Sequence, residues 1–195
     1  MSNTNNVTYG KPMVGGAMFV GPLESTLPKD AKTKIDEALK NLGYISEDGI
    51  TNSNSPDSDK IKAWGGDTVL VVSTEKPDTF SFKLIESINV DVLKTVYGEE
   101  NVTGDLKTGI TVKANAKMAQ GKAYVIDMIL KNNILKRIVI PNGVASEIED
   151  IEYKDDDAVG YGITLEALPD EDGNNHYEYI CQGGSVIAWW QRKII

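Results

Sequence analysis

Reactive side chains are scarce in this sequence. Its 195 residues include one cysteine, Cys181, and one histidine, His176. A lone cysteine excludes an internal disulfide, which suits a reducing compartment. A lone histidine removes most metal sites and most acid–base chemistry. There is also no uninterrupted apolar run of about 18 residues, the length a membrane-spanning helix requires. The first nine residues, Met1 to Tyr9, have neither the basic start nor the apolar core of a signal peptide. The chain is therefore expected to fold in the cytoplasm of the cell that makes it, without a membrane partner, as one domain over residues 1–195.

What is present fits a globular protein. The hydrophobic fraction is 41% and the charged fraction 25%, which excludes a disordered chain. The net charge of −9 is unevenly spread. Between Ser146 and Ile180 twelve acidic residues face one base, Lys154, and the rest of the chain is nearly neutral. Such a balance argues against binding nucleic acid through its phosphates, although the surface could lie beside DNA without adhering to it.

Two short helices are expected. One starts at Asp30 behind Pro28, carries Ile35, Ala38, Leu39 and Leu42 on a stripe, and stops at Gly43. The other starts near Asn89, places Val92, Leu93, Val96 and Tyr97 on one face, and ends at Gly98. The remainder reads as strands: 13–20, 68–73, 79–86, 110–116, 123–131, 134–140, 146–153, 159–168 and 176–180, with 185–190 a final strand if Trp189 and Trp190 belong to the core. Phe80, Phe82 and Leu84 alternate with Ser81, Lys83 and Ile85 as in a half-buried strand. Asn132-Asn133 has the composition of a tight hairpin turn, and 169–175 that of a second hairpin loop. Many strands and few helices predict a mainly β fold, an antiparallel sandwich or barrel with one or two flanking helices. Residues 46–66 are too polar for core and are expected to form a long loop.

Motifs that would carry chemistry fail on spacing. Gly15, Gly16 and Gly21 lack the Gly-Lys-Ser/Thr ending of a phosphate loop. Glu147, Glu149, Asp150 and Glu152 supply carboxylates for a glycosidase pair, but no aromatic cleft accompanies them. Asp155–Asp157 and Asp170–Gly173 do not fit a calcium loop, and His176 reads as a strand surface residue. No catalytic residue, metal site or cofactor is expected. Trp189 and Trp190 read either as core or as docking residues for a neighbouring subunit.

Several segments resemble the major tail proteins of siphophages. They are Gly10-Lys-Pro-Met-Val-Gly-Gly-Ala17, Leu27-Pro28, Leu42-Gly-Tyr-Ile-Ser-Glu-Asp-Gly-Ile-Thr51, Ile61-Lys-Ala-Trp-Gly-Gly-Asp67, Phe80-Ser-Phe-Lys-Leu-Ile-Glu86 and Val92-Leu-Lys-Thr-Val-Tyr-Gly98. Their order and spacing span residues 7 to 168, whereas 181–195 departs from the usual ending. The resemblance implies a tail-tube β-sandwich, also similar to the inner tube of contractile injection systems. It implies a structural role in the virion tail, with assembly in the host bacterial cytoplasm. Six copies would form a ring, and rings would stack around a tape-measure protein between tail terminator and distal tail proteins. Genomic DNA would pass through an acidic bore without specific binding. Glu147, Glu149, Asp150 and Glu152 are the candidate bore residues. Asp48, Asp57, Asp59, Lys60, Lys62 and Trp64, in the long polar segment, are the candidate contacts between rings. The alternative readings are a non-enzymatic binding or decoration module of a virion and the inner-tube protein of a contractile injection system.

Overall fold

The computed structural model describes residues 2–117 and 120–183. Its strands are β1 (Gly10–Pro12), β2 (Met18–Gly21), β3 (Lys40–Asn41), β4 (Ile45–Ser53), β5 (Asp57–Lys62), β6 (Thr68–Glu75), β7 (Thr79–Leu84), β8 (Val102–Thr103), β9 (Thr111–Val112), β10 (Lys122–Leu130), β11 (Ile134–Ile148), β12 (Tyr161–Leu168) and β13 (Tyr177–Gln182). One α-helix, α1, spans Val90–Tyr97.

Nine strands form a single antiparallel sheet in the order β3-β2-β10-β11-β12-β7-β4. β1 continues the edge of β10 beside β2, and β13 lies on β11 in line with β12. The fifteen residues of β11 organise the fold. Its first half pairs with β10 and β13, its second half with β12. Pro141, which has no N–H to donate, falls at the irregularity where the β10–β11 register slips.

Apolar side chains from β2, β10, β11, β12 and β7 enter one cluster, so the sheet curls around it. Met18, Ile126, Ile140, Phe80, Leu84, Ile163 and Leu165 are all within 1% of complete burial there. Helix α1 closes this cluster with Val92, Leu93 and Val96. The helix follows the expected bounds: Asn89 accepts a hydrogen bond from the Asp91 amide (3.0 Å), and Gly98 ends it at φ 95°.

A smaller cluster occupies the reverse face. Phe19, Val125, Val139 and Tyr177 sit side by side across four strands, and Leu27, Ile35 and Leu39 cover them. The helix expected over 30–43 is therefore absent. Asp30 does cap the amides of Lys32 and Thr33, both at 2.6 Å. However, the carbonyls of Asp30 and Thr33 accept from Arg137 Nη1 (3.0 and 2.7 Å), which removes the acceptors that a helix would use. The periodic stripe is also divided: Leu39 packs on the reverse face and Leu42 in the main cluster. A straight helix cannot serve both faces of a sheet.

Other expectations change. Residues 46–66 are not a loop, because β4 pairs with β7, and β5 forms an arm with β6. The strand expected at 146–153 is the end of β11, and residues 149–160 are a connection to β12. Residues 169–175 are not a hairpin loop, because β12 and β13 lie end to end on the same edge of β11. Asn132 and Asn133 form the expected tight turn, with φ of 60° and 61°.

Candidate assembly surfaces

Alternation along β7 and β12 builds a two-faced sheet. Phe80, Phe82, Ile163 and Leu165 point into the core. Ser81, Lys83, Thr164 and Glu166 occupy the intervening positions and face outward. Register brings Glu147 opposite Thr164. The Glu149 amide donates to the Gly162 carbonyl (3.0 Å), and its side chain lies over Gly162, where there is no side chain to oppose it. Ser81 and Thr164 share a hydroxyl hydrogen bond of 3.1 Å across the strands. The second half of β11 with β12, β7 and β4 thus presents a polar face with Glu147, Glu149 and Glu166 on it.

Of the four candidate bore residues, only Glu147 lies within a strand. Glu149 extends the pairing by one hydrogen bond, while Asp150 and Glu152 are exposed in the connection beyond. Glu152 pairs with Lys154. The hydrogen bond and charge of Lys154, aided by Lys83, hold the Glu152 carboxyl below its ordinary range. Glu166 was missed by reading the sequence. Its alternation with Leu165 and Ala167 was visible, but only the β11–β12 register aligns it with the other carboxylates.

This four-stranded region has two unpaired margins. Among the described residues β4 pairs on one side only, with β7. β11 pairs with β10 no further than Gly143, so Val144–Ile148 has β12 on one side and no strand on the other among the described residues. Unpaired strand margins of this kind are templates for another chain.

The β5–β6 arm is exposed on both faces, with Ile61, Val69, Leu70, Val71 and Val72 in solvent. Its turn is closed by the Ala63 amide donating to the Asp67 carbonyl (2.8 Å), and carries a fully exposed Trp64. Asp57, Asp59, Lys60, Lys62 and Trp64 are therefore together on one projecting element. Asp48 is not with them: it lies in β4, where the register with β7 shifts between Ile45 and Ile50.

The base of the arm is pinned to the sheet. Asp78 is buried; its Oδ1 accepts from Asn52 Nδ2 at 2.8 Å and its Oδ2 pairs with His176 Nδ1. His176 meets Phe80 edge-on at 5.2 Å. The expected surface role of His176 is thus corrected to a partly buried anchor. Asp170, in the stretch that does not fit a calcium loop, accepts from the amides of Asp172 and Asn174 and from the Tyr177 hydroxyl (2.6 Å). The Tyr177 bond leads in holding its pKa below the ordinary range. Among the described residues no three His, Cys, Asp or Glu side chains converge as metal ligands, and no helix is long and apolar enough to cross a membrane. Cys181 is a half-buried free thiol on β13. Trp189 and Trp190 lie outside the described residues.

A curled antiparallel sheet with a polar face, two open margins and a projecting apolar arm defines a strand-built subunit whose distinctive parts are surfaces. The chain belongs to the phage tail tube protein family, whose sequence profile matches residues 2–187. It is accordingly a structural component of a virion tail that assembles into a tube with other tail components. No curated protein matches the chain.

Proposed function

We propose that the subunit closes into rings of six, and that the rings stack into a non-contractile tube of the siphophage type through which DNA leaves the capsid. The polar-faced region with two open margins carries this reading. Pairing Ile50–Ser53 of β4 with Val144–Ile148 of a neighbour's β11 satisfies both margins, and a head-to-tail contact closes when its rotation does. The polar face then lines the bore.

Glu147, Glu149 and Glu166 would meet a duplex bearing about one negative charge per 1.7 Å of its axis. Like charges at the wall keep phosphates from adhering and leave water between wall and DNA. Asp150 and Glu152 sit at the rim of that face. In this reading the protein acts through assembly and not through catalysis. Its other contacts are the tape-measure protein inside the tube and the terminator and distal tail proteins at its ends, with assembly in the host cytoplasm. The β5–β6 arm, with Asp57, Asp59, Lys60, Lys62 and Trp64, joins one ring to the next.

Negative-stain microscopy of the concentrated protein tests the reading. Hollow tubes with a ring repeat are expected. Monomers that persist at high concentration would instead indicate a decoration module.

A further inference from the structure

Among the described residues the apolar side chains of the arm are left in solvent, and a broad concavity lies elsewhere on the molecule. That concavity, about 1100 Å³, runs between the N-terminal stretch 10–17 and the start of β4. Met13, Val14, Ile45 and Met128 give it an apolar wall; of its four carboxylates Asp127 is paired with Arg137, which leaves Glu47, Asp48 and Glu86 against the single cation of Lys11. The outer half of the arm has the opposite sign, with Lys60 and Lys62 flanking Ile61 and leading to Trp64.

Position along β4 adds a second argument. The groove is built on the first residues of β4, whereas the arm leaves after its last residue, Ser53. At about 3.3 Å per residue, the groove's stretch of β4, from Ile45 to Ile50, lies roughly 10–26 Å from the arm base at Ser53, and the six residues of β5 reach about 20 Å further. An element at one end of a subunit that fits a hollow at the other makes a head-to-tail contact, which propagates as an open filament.

We propose that the groove is the acceptor for the β5–β6 arm of a second copy of this chain, with Ile61 and Trp64 on its apolar wall and Lys60 and Lys62 facing Glu47, Asp48 and Glu86. This rests on the tube reading and adds the receiving surface for the arm. It also gives Asp48 a role: it belongs to the contact between rings from the receiving side.

Disulfide trapping tests it. Two differently tagged copies, both with Cys181→Ser, carry Ala63→Cys in one and Val14→Cys in the other, and are mixed, assembled and oxidised. A covalent dimer of unlike tags in the tube fraction is the expected result, with Leu106→Cys in place of Val14→Cys giving none. Tubes that form without the bond overturn the docking and leave the tube standing. The bond without tubes upholds the docking and overturns the tube. Neither tubes nor bond overturns both. As a second readout, Glu47→Lys with Asp48→Lys should stop tube growth, and adding Lys60→Glu with Lys62→Glu should restore it. Failure of that restoration also counts against the docking.

Discussion

Arg137 and Asp127 face each other directly across β10 and β11 and are joined by two parallel hydrogen bonds, Nε to Oδ1 at 2.6 Å and Nη2 to Oδ2 at 2.8 Å. Both side chains are almost wholly buried. Because Arg137 also holds the carbonyls of Asp30 and Thr33, one guanidinium sets the course of the whole segment that covers the reverse face. Replacing Arg137 with Met leaves a buried carboxylate without its partner and should cost about 3–5 kcal/mol. Changing both residues to apolar ones of similar volume should recover much of that loss. Urea unfolding of the single and double variants measures the difference.

Asp30 provides a pH test of the same segment. Its pKa falls from 3.8 to about 2, first through the Thr33 hydroxyl, then through the Thr33 and Lys32 amides. A lowered folded pKa means that its stabilising effect is present above 3.8 and is lost as pH falls towards 2. Thr33→Ala removes the largest cause, so NMR titration of Asp30 should move back towards 3.8.

Gly43 adopts φ 75°, and a Cβ there would run into the Glu86 carboxylate. That carboxylate accepts from the Tyr44 amide (3.1 Å) and from Asn89 Nδ2 (3.0 Å), so it is not free to withdraw. Gly43→Ala should destabilise the fold by about 1–3 kcal/mol, as strain of this kind does. Thermal unfolding checks this, and Gly49→Ala, with comparable φ of 74° but open space around it, should cost less.

Reversing the charge of the polar face, with Glu147, Glu149 and Glu166 all changed to Lys, should leave tubes intact and slow DNA release. The slowing should fade with added salt, since the screening length drops from about 10 Å at 0.1 M to about 3 Å at 1 M. Time-resolved release from assembled virions is the measurement. Unchanged release at low salt would move these residues out of the bore.

Legibility in the sequence followed burial. Helix α1, the Asn132-Asn133 turn and the alternation of β7 were readable because each has one buried and one wet side, or a backbone demand that few residues meet. The segment 30–43 shows a true apolar stripe, yet its partner Arg137 is about a hundred residues away. Half of the arm was legible, since β6 is the strand expected at 68–73, whereas β5 gave no strand pattern because all its residues are exposed and nothing selects a period of two. Of the acidic cluster, composition revealed the charge. Only strand register separates Glu147 and Glu166 on the face from Asp150 and Glu152 beyond it.

The length of β11 has a mechanical consequence. The same fifteen-residue strand anchors the reverse-face cluster at one end and carries Glu147 at the other. A pull on the outer half therefore reaches the inner half through covalent bonds, without having to cross a packed seam that could slide. In the proposed tube, with Glu147 on the wall, one unbroken strand would therefore join the outer cover of each subunit to the lining.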